Sequence, residues 1–142
     1  MKLQKNTLLA LTSVLAAAAQ PGLALSAGEI ARRHGASAHH LAKVLHTLTR
    51  AGVLASTRGV GGGYRFAGNA RRLTLMDVIE LFEPVEAASR PSARRRARGG
   101  AEEAVAVVLS EIDAMAGATL RSITIATMLK IAARPASSPS SN

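Results

Sequence analysis

Four of the five residues from Gly59 to Gly63 are glycine, and they stand between two short runs of strand-forming residues. Val53-Leu54-Ala55-Ser56-Thr57 precedes them and Tyr64-Arg65-Phe66-Ala67 follows. The pattern predicts a β-hairpin. A plain hairpin turn needs only two residues of special conformation. Four glycines therefore imply positive φ values and close approach of the backbone to another surface. A phosphate-cradling loop fails on context: no Gly-Lys-Ser/Thr follows, the third glycine of G-x-G-x-x-G is missing, and a strand comes next. Arg58 stands at the base of the loop, a cation suited to a narrow A·T minor groove.

The residues just upstream read as a pair of capped helices. Ser26-x-x-Glu29 is a capping box opening a short helix, Ala27–His34, which Gly35 stops. Ser37 caps a second helix with Leu41, Val44, Leu45 and Leu48 as its buried stripe and Gly52 at its end. His39, His40, Lys43, His46, Thr47 and Arg50 then face outward. Two helices joined by a tight glycine-containing turn suit a helix-turn-helix, although ordinary bundles contain such pairs too.

Charge narrows the partner. Eighteen Lys and Arg against nine Asp and Glu leave a net charge of +9 on 142 residues, which calls for a polyanion: nucleic acid or an acidic membrane surface. No cysteine is present, so disulfides, thiolate zinc sites, all-cysteine iron–sulfur ligation and cysteine nucleophiles are excluded. The core must be built from Leu, Val, Ile and Ala, because only 2% of residues are aromatic. The four histidines cluster between positions 34 and 46, but their spacing does not converge on a helix and no carboxylate there completes a metal set. Ser-His pairs occur without an acid close in sequence to orient them, so no enzyme is expected.

The N-terminus carries two readings. Lys2 and Lys5 before an apolar run imitate a secretory signal. The same residues form an amphipathic helix with Leu8, Leu11, Val14, Leu15 and Ala18 on one face, ended by Pro21-Gly22. Removing residues 1–27 would strip the first helix from the module.

Beyond the hairpin, Thr74-x-x-Asp77 opens a helix with Leu75, Val78, Ile79 and Phe82 on one face, ended by Pro84. Residues 85–100 form a basic flexible linker carrying Arg90, Arg94, Arg95, Arg96 and Arg98. A charge run of this kind is usually solvated, and phosphate contact is the alternative. A long helix from about Ala101 to Gly117 has Val105, Val108, Ile112 and Met115 at coiled-coil spacing. Thr124 caps a last short helix through Lys130, and residues 134–142 form a disordered tail.

The order of parts, with RGVGGGYRFA (Arg58–Ala67), LTLMDVIELFEP (Leu73–Pro84) and DAMAGATLRSITIATML (Asp113–Leu129), resembles the Rrf-2 type winged helix-turn-helix transcriptional regulators, the IscR/NsrR-like family. The resemblance implies a mainly α fold with a small β-hairpin wing: a winged helix-turn-helix over residues 1–84, then a dimerisation helix and short C-terminal helix over 101–133. It implies a cytoplasmic, sequence-specific DNA-binding regulator, a repressor, acting as a homodimer on double-stranded DNA without a membrane role. Ser37, His39, His40 and Lys43 on the helix, with Arg58, Gly59 and Gly61 in the wing, would face DNA. Val105, Val108, Ile112 and Met115 would form the dimer seam. The resemblance also favours the helical reading of the N-terminus. Family sensors carry three cysteines between the short and long helices, and here that region is the cysteine-free arginine linker. No cofactor is therefore expected, and an unknown effector or protein partner takes its place. The alternatives are a secreted or membrane-surface cationic protein and an adaptor that binds protein rather than DNA.

Overall fold

The computed structural model describes residues 3–83 and 99–134. Its elements are α1 (Lys5–Ala19), α2 (Ala27–His34), α3 (Ala38–Arg50), β1 (Leu54–Thr57), β2 (Gly63–Phe66), α4 (Leu75–Ile79), α5 (Gly100–Ser122) and α6 (Ile125–Ala132). Pro84, the Arg90–Arg98 linker and the tail from Pro135 lie outside the described residues.

Local chemistry sets the helix ends. Ser26 Oγ accepts from the Glu29 amide at 3.1 Å, and Gly35 closes α2 in the left-handed conformation, φ +60°. Ser37 Oγ accepts from the His40 amide at 3.3 Å to start α3. At the other end of α3, Gly52 takes φ +80° while the Val53 amide donates to the Leu48 carbonyl at 3.0 Å, so the chain leaves directly into β1. At α4 both halves of the capping box form: Asp77 N–H donates to Thr74 Oγ1, and Thr74 N–H to Asp77 Oδ2. A cap of this kind is worth about 1 kcal/mol.

The core is aliphatic. Ile30, Leu41, Val44, Leu45, Leu48, Leu54, Val78 and Ile125 are buried, contributing about 1.5–3 kcal/mol each for a fully buried large side chain. The α1 helix is the hub, packing on α2, α3, α4, α6 and β2. Its buried face departs from the sequence expectation. Thr7, Ala10, Ser13, Val14, Ala17 and Ala18 point inward, Leu11 and Leu15 are half-buried, and Leu8 is 50% exposed. Small side chains let several elements approach one helix closely, and that demand overrides the leucine stripe. Because α1 fills the centre of the core, it is a structural element of this fold rather than a segment apart from it.

The hairpin is antiparallel, pairing Leu54 with Phe66 and Thr57 with Gly63. Its second edge is also occupied. Leu25 and Tyr64 exchange two backbone hydrogen bonds of 2.8 Å, tying the wing to the segment that enters α2. A similar splice joins the two ends of the module. Leu75 N–H donates to the Ile123 carbonyl at 2.9 Å and Ile125 N–H to the Leu73 carbonyl at 2.8 Å. Through these bonds and buried Ile125, α6 shares the core of the first four helices.

The long helix runs past the expected stop at Gly117 to Ser122. Gly117 is buried inside the helix, and a β-carbon there would meet Met76 Cε at 3.6 Å and an Arg121 guanidinium nitrogen at 3.3 Å. Glycine here admits the packing of α4, and it does so at a helix-propensity cost of about 1 kcal/mol. N-terminal to this contact, Val105, Val107, Val108, Leu109, Ile112 and Met115 are all exposed, between 46% and 63%.

Candidate nucleic-acid interface

The inward stripe of α3 fixes what points out. With Leu41, Val44, Leu45 and Leu48 buried, Ser37, His39, His40, Lys43, His46 and Arg50 are exposed. His39, Lys43, His46 and Arg50 follow one another at spacings of four, three and four, a single ridge of nitrogen-bearing side chains along the helix. The rings of His39 and His40 stand edge to face at 6.4 Å. Thr47 does not join the ridge as a free donor, because its hydroxyl is turned back to the Lys43 carbonyl at 3.1 Å. The Lys43 side chain enters no hydrogen bond or ion pair among the described residues, which leaves its ammonium available to an external acceptor.

The wing presents its own set. Arg58, Gly59, Val60 and Gly61 are exposed, and Val60 at the tip is completely so. Gly62 N–H donates to the Gly59 carbonyl at 2.9 Å, closing a turn in which Gly61 has φ +79°. That is the position where a type II turn calls for glycine. The other two glycines serve contact. A β-carbon on Gly62 would lie 2.4 Å from the Thr57 carbonyl oxygen, and one on Gly63 would lie 2.4 Å from the Leu25 carbonyl oxygen. The loop thus holds Arg58 and the Val60 tip on a short, sharply folded platform.

Further cations surround these elements. Arg32, Arg33, Arg65, Arg71 and Arg72 are exposed. Arg65 on β2 and the Arg71-Arg72 pair fall outside the residues selected from sequence. Arg71 and Arg72 lie on the short segment after β2, which is held because the Ala126 amide donates to the Ala70 carbonyl at 2.8 Å. Among the described residues no helix is long and apolar enough to cross a membrane.

Residues 3–131 match the Rrf2 family, described as an iron-dependent transcriptional regulator. The chain is 47% identical over 136 residues to the Rhodopseudomonas palustris protein named "Putative HTH-type transcriptional regulator BadM", covering 92% of this chain and 83% of the relative. Among solved structures, CymR, titled the global cysteine regulator of B. subtilis, superposes with a TM-score of 0.76 at 24% identity, covering 92% of this chain and 98% of CymR. T. potens IscR superposes with a TM-score of 0.69 at 25% identity, covering 97% and 94%. The first of these likenesses is one of fold alone.

The family description raises iron, and the donor set answers it. The chain has no cysteine, and among the described residues no group of three His, Asp or Glu side chains is placed to hold a metal ion. Cluster ligation rests on thiolates, with histidine as a partial substitute at most. The residues present do not fit an iron–sulfur cluster. The chain belongs to the Rrf2 family and is a DNA-binding transcription regulator.

Proposed function

We propose that the protein is a homodimeric repressor that reads its operator with α3 and the Arg58–Gly61 wing and works without an iron–sulfur cluster. The exposed ridge on α3 carries the reading. It is the one face of that helix the core leaves free, and it presents Lys43 flanked by histidines. In a major groove Lys43 would pair with guanine O6 or N7, an interaction worth about 1–3 kcal/mol of discrimination. Ser37 and the first amides of α3 would receive a phosphate. Arg58 would enter the adjacent minor groove, with Gly59 and Gly61 allowing the backbone to approach.

The exposed valines, Ile112 and Met115 of α5 supply the dimer contact. A row of large apolar side chains this exposed favours pairing with a second copy, and two copies would set two recognition helices on a two-fold operator. Occupying the operator would block transcription. CymR and IscR share the architecture, which supports the same use of its parts here.

Operator DNA can be obtained by selection from random sequence and binding followed by fluorescence anisotropy. Lys43→Ala and Arg58→Ala should each weaken the selected site about tenfold or more, in line with ~1–3 kcal/mol per base pairing. Removing a cation that neutralises one phosphate should also flatten the dependence of log K on log salt by about one unit. Variants that bind like the parent chain at every salt concentration would remove α3 and the wing from the DNA interface.

A further inference from the structure

An open groove of about 520 Å³ lies between the first turns of α1 and the turn that joins α2 to α3. Lys5, Leu8, Leu9 and Thr12 form one wall, and His34 and His40 stand on the other. Its volume falls in the range typical of small-molecule sites, roughly 300–1,000 Å³. The apolar part is Leu8 and Leu9. A single exposed leucine needs no explanation, but Leu8 is half exposed into a concavity on a helix whose buried face is made largely of Ala, Ser and Thr. Thr12 brings no free hydroxyl to this wall, because its O–H is turned back to the Leu8 and Leu9 carbonyls at 3.0 Å.

The rim has one sign of charge. Lys5, His34 and His40 all offer nitrogen donors, and no Asp or Glu lines the groove among the described residues. Neither Lys5 nor His34 uses its side chain in a hydrogen bond or ion pair among those residues. An aliphatic wall beneath a cationic rim complements a molecule with a hydrocarbon body and one anionic head. A DNA phosphodiester would satisfy the rim and leave Leu8 and Leu9 facing water. A second protein chain would need a broader apolar surface than two leucines.

We propose that this groove binds a monocarboxylate with an aliphatic body, and that its occupancy releases DNA. The coupling follows from shared residues. The groove also includes Ser37, whose hydroxyl caps α3 by accepting from the His40 amide at 3.3 Å. A carboxylate drawn to His40 and Ser37 competes with the phosphate that α3 would receive there. This regulatory half rests on the assignment of α3 as the reading helix; the binding half does not.

The test uses the full chain and octanoate, with 1-octanol and inorganic phosphate as the head-less and body-less controls. Amide shifts by NMR locate the site, calorimetry measures affinity, and anisotropy on selected operator DNA reads coupling. Octanoate should saturably shift amides around Leu8, Thr12 and Gly35 and lower operator affinity by about tenfold, within the usual span of coupling energies. Octanol should bind several-fold more weakly. Lys5→Met should weaken octanoate about tenfold, as expected when a charged hydrogen bond is removed. Thr12→Trp, at an exposed position, should fill the groove and abolish binding while ligand-free operator affinity stays within about twofold.

No saturable shift at the groove would overturn the proposal. So would shifts that inorganic phosphate reproduces alone, which would mark a site for backbone phosphate, or octanoate binding that ignores both Lys5→Met and Thr12→Trp. Octanoate seated in the groove with operator affinity unchanged would overturn the regulatory half. Failure of the α3 assignment shows separately, as ligand-free binding that is indifferent to Lys43→Ala.

Discussion

Replacing Gly63 by alanine tests how the wing is held. A β-carbon there would stand 2.4 Å from the Leu25 carbonyl oxygen, 2.7 Å from its carbon and 3.0 Å from the Ser26 nitrogen. These atoms are backbone, so no rotamer change relieves the clash. Restoring ordinary separation means moving the two segments apart by about 1 Å, which stretches both Leu25–Tyr64 hydrogen bonds out of range. Two such bonds contribute about 2 kcal/mol net. Strain left in the shifted backbone, together with a φ of +155° that alanine rarely adopts, adds about 1.5 kcal/mol, and the stiffer unfolded chain returns about 0.5 kcal/mol. The expected loss is near 3 kcal/mol. Gly61→Ala is the matched control, because nothing lies within 4 Å of its β-carbon and only its φ of +79° is strained. That strain costs about 1–2 kcal/mol. Urea unfolding at one fixed protomer concentration, as linkage to a dimer requires, should rank Gly63→Ala clearly below Gly61→Ala. Equal midpoints for the two variants would refute the view that Gly63 exists for the approach to Leu25.

Other outcomes follow from the same geometry. Ser13 is fully buried on α1 and its hydroxyl has no partner among the described residues, so Ser13→Ala should leave thermal stability unchanged or raise it by up to about 1 kcal/mol; a marked loss would mean the hydroxyl is engaged. Ile112→Glu should give monomers in analytical ultracentrifugation and much weaker operator binding, and a variant that remains dimeric would place the interface elsewhere than on α5. Protein reconstituted anaerobically with iron and sulfide should stay colourless, and a stoichiometric cluster absorbance would contradict the donor-set argument.

Much of the helix-turn-helix and wing could be read from sequence, because their signals are local. Ser26, Ser37, Thr74, Gly35 and Gly52 mark helix ends through chemistry confined to one turn, and each does so in the structure. The stripe from Leu41 to Leu48 set the outward face of α3 by periodicity alone. The misses are tertiary. The leucines of α1 set its inner face turned too far toward Leu8, although Val14 and Ala18 are buried and Leu11 and Leu15 pack against the core, because periodicity cannot register how many neighbours crowd a helix. Gly117 looked like a stop because a glycine admitting Met76 and one ending a helix are identical in sequence. Gly63 was legible as permissive, but its approach to Leu25 joins segments 38 positions apart (63 minus 25) and leaves no local trace. The α1 groove has the same origin, since its walls come from two separate stretches of chain.

The grip on α5 has a mechanical consequence. The helix has 23 residues and so is about 34 Å long, and three of its attachments gather near its C-terminal end: the seat of Gly117 on Met76, the Arg121–Glu80 pair at 3.8 Å and the backbone splice at Ile123. Those attachments form a fulcrum at that end. A tilt of roughly 10° at Gly117, about 26 Å from the tip at Gly100, sweeps that tip through about 4.5 Å, most of the rise of one helical turn. A larger side chain at position 117 would press on Met76 and would therefore displace the tip of α5 relative to the body that carries α3 and the wing.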